Sequence, residues 1–263
     1  MKQEDGTSRI LEPFCSRKSS IHFPDSSGKL VPLREQAGNK GYAAGFEGLI
    51  GFIMALVPKN EVIDQALRRE VPMFPELAVR ELVVYALIHQ DFSVSGSGPM
   101  VEIFSDRMEI TNPGEPLVDT LRFVDAPPTS RNESLASLMR RFRICEERGS
   151  GIDKVVAQVE LYQLPAPVFE VAQGFTRAVL FAHRPLNEMD KTDRVRACYL
   201  HACLKRVMRD YLTNASLRER FGVEEKNMAA VSRYIGEAVD EGVIKPYDEK
   251  AAKKFMKYVP FWA

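Results

Sequence analysis

Glu81, Tyr85 and His89 stand four residues apart in the segment RELVVYALIHQDFS, residues 80 to 93. If this segment is helical, the three side chains lie on one face, one above the other. The other residues are mostly apolar, so the predicted helix is buried on nearly every side. A carboxylate, a phenol and an imidazole on a buried stripe need polar partners or a pocket. These three side chains are therefore the first candidates for a functional site.

Glycine-containing loops and a polar pair follow this helix. The loop GSG at 149–151 separates two predicted helices, and its glycines and the free N–H groups of the second helix suit a phosphate. The loop NPG at 112–114 follows a predicted strand and favours a tight turn. Arg131 and Asn132 precede a helix predicted from Ser134 to about Cys145, with Asn132 as its cap. A glycine-rich helix junction alone is more often a simple turn than a ligand site.

Three segments carry a family resemblance through their order: RELVVYALIHQDFS, VEIFSDRMEITNPGEPL and SRNESLASLMRRFRICEERGSGIDKV. They resemble the ATP-binding module of RecG-type helicase-related regulators, a divergent relative of the GHKL nucleotide-binding fold. The resemblance covers residues 75–182 strongly and 45–74 loosely. It implies an α+β fold, a two-layer GHKL-like α/β sandwich, that binds ATP or ADP. The nucleotide contacts that it implies are Tyr85, His89, Asn112, Gly114, Arg131, Asn132, Gly149, Ser150 and Gly151.

The resemblance also addresses the buried stripe. In the GHKL fold a helix glutamate activates the attacking water, and an asparagine one turn later holds Mg²⁺. Glu81 matches the glutamate, but Tyr85 stands at the asparagine position, and a phenol is a poor ligand for this hard ion. We therefore expect no bound Mg²⁺. Without the metal, phosphoryl transfer loses its main charge neutralisation. Two alternatives follow: Glu81 is the catalytic base of an ATPase, or Glu81 and His89 pair with Arg80, Arg131 or backbone groups.

The C-terminal part has a different composition. Residues 190–263 carry 15 Lys and Arg against 11 Asp and Glu, although both classes total 36 in the whole chain. The stretch SLRERFGVEEKNMAAVSRYIGEAVDEGVIKPYD predicts a helix capped by Asn214 or Ser216, a turn at Gly222, a second helix ending near Gly242, and a strand. This order is typical of a winged helix-turn-helix that binds double-stranded DNA. The expected DNA contacts are Arg218, Lys226, Asn227, Ser232, Arg233, Lys250, Lys253 and Lys254.

Acidic residues in the same region oppose DNA binding. A phosphate backbone is repelled by the carboxylates in and beside the second helix. Winged helices also serve as protein-interaction or dimer modules, so an interaction scaffold and a homodimer remain alternatives. The acidic residues are Glu224, Glu225, Glu237, Asp240 and Glu241.

Domain organisation and compartment follow from broader features of the chain. We place a boundary near residues 186–192, which gives a first domain of 1–188 with an N-terminal extension and a second of 190–263. Four scattered cysteines indicate free thiols in a reducing cytosol, and their spacing predicts no metal site. The most apolar run, at 41–57, is short for a membrane span and contains Glu47, so no membrane partner is expected. Together with the resemblance to RecG-type regulators, which implies the regulatory role, these features predict a cytoplasmic, bacterial-type transcriptional regulator. RecG-type regulators usually carry a further N-terminal DNA-binding domain, so we expect a short variant or a fragment.

Overall fold

The computed structural model describes residues 18–24, 30–37, 41–64, 67–146, 149–252 and 255–263. These residues form a mixed α+β fold, as expected, with seven α-helices and one four-stranded antiparallel sheet within the described ranges. In chain order the elements are β1 (Lys18–Pro24), β2 (Leu30–Ala37), α1 (Tyr42–Leu56), β3 (Lys59–Asp64), β4 (Leu67–Pro72), α2 (Glu76–His89), β5 (Met100–Ile103), β6 (Arg107–Pro113), α3 (Glu133–Arg141), α4 (Gly151–Leu161), β7 (Val168–Ala172), β8 (Phe175–Phe181), α5 (Lys191–Val207), α6 (Asn214–Phe221), α7 (Met228–Asp240), β9 (Ile244–Pro246) and β10 (Tyr258–Pro260).

Two antiparallel hairpins precede the helix of the buried stripe. Strands β1 and β2 pair with each other, in agreement with the ragged strand pair that the turn-rich N-terminal sequence predicts. Strands β3 and β4 also pair. The pattern of EVIDQALRREVPMFP fits a helix and a strand equally well, and this pairing shows that the segment contributes to strands. Strand β4 ends at Pro72, which lacks a backbone N–H for a continuing ladder.

The four-stranded sheet has the order β5-β6-β8-β7, with every neighbouring pair antiparallel. The segments VEIFSDRMEITNPG and VFEVAQGFTRAVLFAHR each predict an antiparallel strand pair, and both hairpins, β5–β6 and β7–β8, are present. Alternate residues of β5 and β6 are buried, as the period of a strand requires. Helix α2 packs against β6 and against α4, so a helical layer lies on the sheet. Helix α3 ends at Arg141 instead of the predicted Cys145, and Arg143, just beyond it, has a left-handed φ of 59°.

Three helices and a two-stranded sheet form the C-terminal part. Helices α6 and α7 pack on each other and on α5, and β9 pairs with β10. The helical spacing of the apolar residues in α6 and α7 predicts an inward face, and its members are buried except for the partly buried Val239: Leu217, Phe221, Val231 and Ile235. Thr213 caps α6 by a reciprocal bond pair with Ser216, so the expected caps Asn214 and Ser216 are wrong. Gly222 and Gly242 have left-handed φ values of 63° and 70°, as the two helix ends require.

One continuous cluster of buried apolar residues runs through both parts of the chain. The end of α4 lies against α5 and α6. There Arg220 donates a hydrogen bond to the carbonyl of Leu164 at 2.6 Å, and Arg196 donates one to the carbonyl of Ala166 at 3.0 Å. Among the described residues, no helix has the length and apolar character of a membrane span.

Candidate functional site

Helix α2 presents its polar stripe to a cavity. Pro75 precedes the helix, where a fixed φ is tolerated, and most of the helix is buried in the core. Glu81, Tyr85 and His89 all line the cavity, whose volume is about 330 Å³. The facing wall comes from residues 117–130, and the N-terminus of α4 closes one side. The three residues that the spacing singled out are therefore brought together at one site.

Tyr85 and His89 form a stacked aromatic pair. Their ring centroids lie 4.2 Å apart with an interplanar angle of 15°, and Phe123 contacts Tyr85 with centroids 5.5 Å apart. Burial, followed by the charge of the nearby Arg131, lowers the pKa of His89 to about 4, so the imidazole is neutral at pH 7. Burial also raises the pKa of Tyr85. His89 Nδ1 is buried and has no hydrogen-bond partner among the described residues.

The carboxylate of Glu81 is held by a lysine that the sequence analysis missed. Lys154 Nζ lies 3.0 Å from Glu81 Oε1 and 3.1 Å from Glu146 Oε1, so one ammonium group joins two carboxylates. For the carboxylate of Glu81 the expected arginine partners are wrong, because Arg80 pairs with Glu47 and Arg131 with Asp91. Arg131 does bond to His89, through the backbone carbonyl of that residue. The available sequence signal for Lys154 was its place in the first turn of the helix that follows the glycine loop. Its partner, however, lies 73 residues away.

The glycine loop approaches other protein groups closely. Gly149 has a φ of 66°, and a Cβ there would lie 3.1 Å from Cα of Pro128. A Cβ on Gly151 would lie 3.0 Å from Glu81 Oε2. Ser150 Oγ lies 3.5 Å from a carboxylate oxygen of Glu146. All three loop residues line the cavity.

The other four residues expected to contact nucleotide surround the end of α2 and lie outside the cavity lining. Asn132 donates hydrogen bonds to the carbonyls of Ile88 and Gln90 at 2.7 Å. It stands at the N-cap position of α3, as predicted, but its side chain makes no capping hydrogen bond there. Arg131 donates to the carbonyls of His89 and Glu115. Asn112 is buried, with Nδ2 donating to the carbonyl of Pro113. Gly114 has a φ of 98° and packs against Asp91.

The charged groups of the cavity lining are mutually paired. Arg140 pairs with Glu133, which also accepts a hydrogen bond from Ser130 at 2.6 Å. Lys154 pairs with both Glu81 and Glu146. The described lining thus holds three carboxylates and two cationic side chains, with an apolar wall opposite. This arrangement favours a ligand with an apolar or aromatic body over a highly charged anion.

Helix α4 also carries a half-buried carboxyl group, that of Asp153. Burial, followed by the charge of Asp125, raises the pKa of Asp153 to about 6, and Asp153 Oδ1 has no hydrogen-bond partner among the described residues. The pKa of Asp153 in the folded protein exceeds the ordinary aspartate value of 3.8, so the folded protein binds more protons between these two pH values. Stability therefore falls as pH rises from about 4 to 6 and stays reduced above that range.

We expect Asp153→Asn to remove this pH-dependent penalty. Above pH 6 the variant should gain about 1 kcal/mol of stability, a value reduced for solvent screening because the side chain is only half-buried. The corresponding rise in Tm is about 2–4 °C. Thermal unfolding followed by circular dichroism at pH 4 and pH 8 measures the effect. A gain of equal size at both pH values would contradict the assignment.

The expected DNA contacts lie mainly at the surface of α6, α7 and the C-terminal hairpin. Lys226, Asn227, Ser232, Arg233 and Lys250 are exposed. The side chains of α6 and α7 are joined by Asn214, which donates to Ser232 Oγ at 2.9 Å and accepts from Arg218 Nε at 3.1 Å. Lys253 and Lys254 lie outside the described residues.

Comparisons with known proteins agree with this architecture. Residues 96–180 match the family model described as "Putative ATP-dependent DNA helicase recG C-terminal". The crystal structure of the DIP2311 protein from Corynebacterium diphtheriae aligns with 94% of this chain and 52% of that one, with a TM-score of 0.59 and 17% sequence identity. The chain therefore spans about half of that protein, and the likeness shows the fold alone. No curated protein matches the chain.

Proposed function

We propose that this chain, whose residues 96–180 match the model of a RecG-related family, contains a GHKL-like ATPase domain and is a cytoplasmic DNA-binding transcriptional regulator. In this proposal residues 1–188 hold an adenine nucleotide weakly and do not hydrolyse it. Residues 190–263 form a winged helix-turn-helix that binds double-stranded DNA. The observation that carries the proposal is the arrangement of α5, α6 and α7 with the β9–β10 pair.

The order of elements supports a winged helix. Leu212, between α5 and α6, bridges Tyr258 in β10, and β10 pairs antiparallel with β9. Helices α6 and α7 are separated by the left-handed Gly222, and α7 leads directly into β9. A helix, a short bridging strand, two further helices and a two-stranded wing are the parts of this motif, in which the second helix of the helix-turn-helix enters the major groove.

The exposed start of α7 supplies suitable contacts. Lys226 and Asn227 precede the helix, and Ser232 and Arg233 lie on its exposed side, opposite the buried Val231 and Ile235. Polar side chains near the start of a recognition helix reach base edges, and basic ones reach phosphates. This exposed side of α7 is therefore the proposed DNA face.

The acidic residues of this region are largely neutralised within the protein. Glu237 pairs with Arg194 Nε at 3.3 Å, and Glu241 pairs with Lys191, so both carboxylates are directed toward α5. Glu224 pairs with Lys226, which reduces the contribution of that lysine as well. Ion pairing lowers the repulsion between these carboxylates and a duplex.

Nucleotide binding is tested by thermal unfolding. ATP or ADP at about 100 times its Kd should stabilise the chain by about 2.7 kcal/mol. The rise in Tm should depend little on Mg²⁺, because Tyr85 stands where the family has a metal-binding asparagine. A shift that requires Mg²⁺ would contradict this role of Tyr85. Mg²⁺-dependent ATP turnover that Glu81→Gln abolishes would establish an ATPase instead.

Helix α4 joins the cavity to the proposed DNA-binding part. Its N-terminus lines the cavity, and near its other end Glu160 Oε2 lies 2.9 Å from His201 Nδ1. His201 Nε2 in turn lies 3.0 Å from Ser216 Oγ in α6. Gln163 packs so closely on Gly222 that a Cβ there would lie 2.8 Å from the amide. A ligand that displaces α4 would therefore change the contacts that α4 and Gln163 make with the helix-turn-helix.

We expect nucleotide and DNA to alter each other's affinity by the same factor, about fivefold or more, because coupling between two binding sites is reciprocal. Titration of duplex DNA into the full chain with and without ADP measures the factor. Glu160→Gln should reduce it, whereas Glu170→Gln should not, because Glu170 pairs with Arg177 in the sheet. Equal DNA affinity in both titrations of the wild type would refute the coupling.

A further inference from the structure

Lys154 occupies the position between two carboxylates where a bound cation would otherwise be expected. Its Nζ lies 3.0 Å from Glu81 Oε1 and 3.1 Å from Glu146 Oε1. A metal ion bound by Glu81 would compete with this ammonium group for the same oxygen. Tyr85, one helical turn further, offers a phenol that is already stacked on His89, and a phenol is a weak ligand for Mg²⁺. These residues do not fit a magnesium–triphosphate unit.

Within the described part of the cavity lining, both cationic side chains are already paired with carboxylates. Lys154 is shared by two carboxylates and Arg140 pairs with Glu133. Among the described lining residues the formal charge is −1, from three glutamates against one lysine and one arginine. A triphosphate placed there without its metal would be repelled by the net negative charge, whereas polyphosphate sites usually present cationic side chains.

The apolar part of the same cavity remains suitable for a flat ring. Tyr85 and Phe123 supply aromatic surface, and Val84, Ile88 and Ile152 supply aliphatic surface. Aromatic faces stack favourably on heteroaromatic rings. A volume of about 330 Å³ is at the lower end of the range for small-molecule sites. Space, polarity and charge thus favour a compact ligand with one aromatic ring system.

We propose that this cavity selects a purine nucleoside or nucleoside monophosphate and gains no affinity from further phosphates or from Mg²⁺. Lys154 acts as a built-in cation that satisfies Glu81 and Glu146 and takes the place of the metal. The ring lies against the aromatic wall, and any phosphates beyond the first extend into solvent. This inference rests on the proposed nucleotide binding and specifies its ligand.

Calorimetric titration of the full chain with adenosine, AMP, ADP and ATP, each with and without Mg²⁺, tests the inference. AMP, ADP and ATP should bind with affinities within about threefold of one another, a difference below about 0.7 kcal/mol. ATP that binds more than about tenfold tighter than AMP, or that requires Mg²⁺, would overturn the inference and leave the proposed nucleotide binding intact. If none of the four binds, the inference and the nucleotide part of the proposed function both fail.

A variant pair tests the role of charge. Glu146→Gln removes one of the two carboxylates on Lys154, so ATP should gain about two- to fivefold relative to adenosine at low salt, the size expected of an exposed charge pair. The matched control Glu249→Gln makes the same change of net charge in an exposed loop outside the cavity lining and should leave the ratio unchanged. An unchanged ratio in Glu146→Gln, or an equal gain in the control, would show that Lys154 does not set the phosphate preference.

Discussion

Replacing Gly114 by alanine should destabilise the protein by about 2–5 kcal/mol, the sum of left-handed backbone strain and overpacking. The φ of Gly114 is 98°, and a Cβ there would lie 2.8 Å from Cβ of Asp91 and 3.3 Å from its backbone nitrogen. That nitrogen donates a hydrogen bond to the carbonyl of Pro113 at 2.8 Å, so the contact cannot relax without loss of the bond. Chemical denaturation measures the change.

Gly96 provides the matched control for this substitution. Its φ is 80°, and a Cβ there would meet nothing within 4 Å. Gly96→Ala should therefore cost only the backbone strain, about 1–2 kcal/mol. The comparison separates two roles for the NPG loop. If Gly114→Ala lowered nucleotide affinity and left stability unchanged, the glycine would serve ligand approach, as the resemblance implied, and not the packing of Asp91.

Arg233→Ala should weaken DNA binding by about 1–3 kcal/mol and flatten sequence preference if the side chain reads a base. Arg233 is exposed on α7, and its guanidinium lies 5.4 Å from the ring centroid of Tyr234. Lys250→Ala should weaken binding to all sequences alike. It should also lower the slope of log affinity against log salt concentration by about one, the contribution of one phosphate contact. We expect the same of Lys253 and Lys254. Competition with unrelated duplexes in a fluorescence anisotropy assay distinguishes the two kinds of contact.

The control for Arg233→Ala is Arg141→Ala, which replaces an exposed arginine at the end of α3. It makes the same change of net charge far along the chain from the proposed DNA face. Equal losses in the two variants would indicate that binding depends on overall charge and not on α7. The helix-turn-helix would then have no role in recognition.

Local patterns predicted the elements well because each pattern reports a short stretch of backbone. The hairpin over VEIFSDRMEIT and the nearly all-apolar helix of residues 80–89 are both present. Helix ends were less accurate. Thr213 is the cap of α6 because its hydroxyl accepts a hydrogen bond from the backbone N–H of Ser216, while the hydroxyl of Ser216 accepts one from the backbone N–H of Thr213. By residue type alone, Asn214 and Ser216 suit a cap equally well.

Side-chain partners were predicted poorly because they depend on how distant elements pack. Asn132 resembles a helix cap, but it bonds to carbonyls at the end of α2, more than 40 residues earlier. Lys154 reaches Glu81 across the α2–α4 contact, which no local spacing encodes. The stripe of Glu81, Tyr85 and His89 was predictable because helical geometry alone places the three on one face.

Titration of the full chain with duplex DNA at two salt concentrations tests the central proposal most directly. With four to six phosphate contacts, affinity should fall by about 10²–10³-fold between roughly 50 and 200 mM salt, because bound phosphates release counterions. Fluorescence anisotropy with a labelled duplex provides the measurement. Binding at low salt that weakens over this range is the result that the proposal predicts. Absence of binding to any duplex at low salt would contradict it and would identify the C-terminal part as a protein-interaction module.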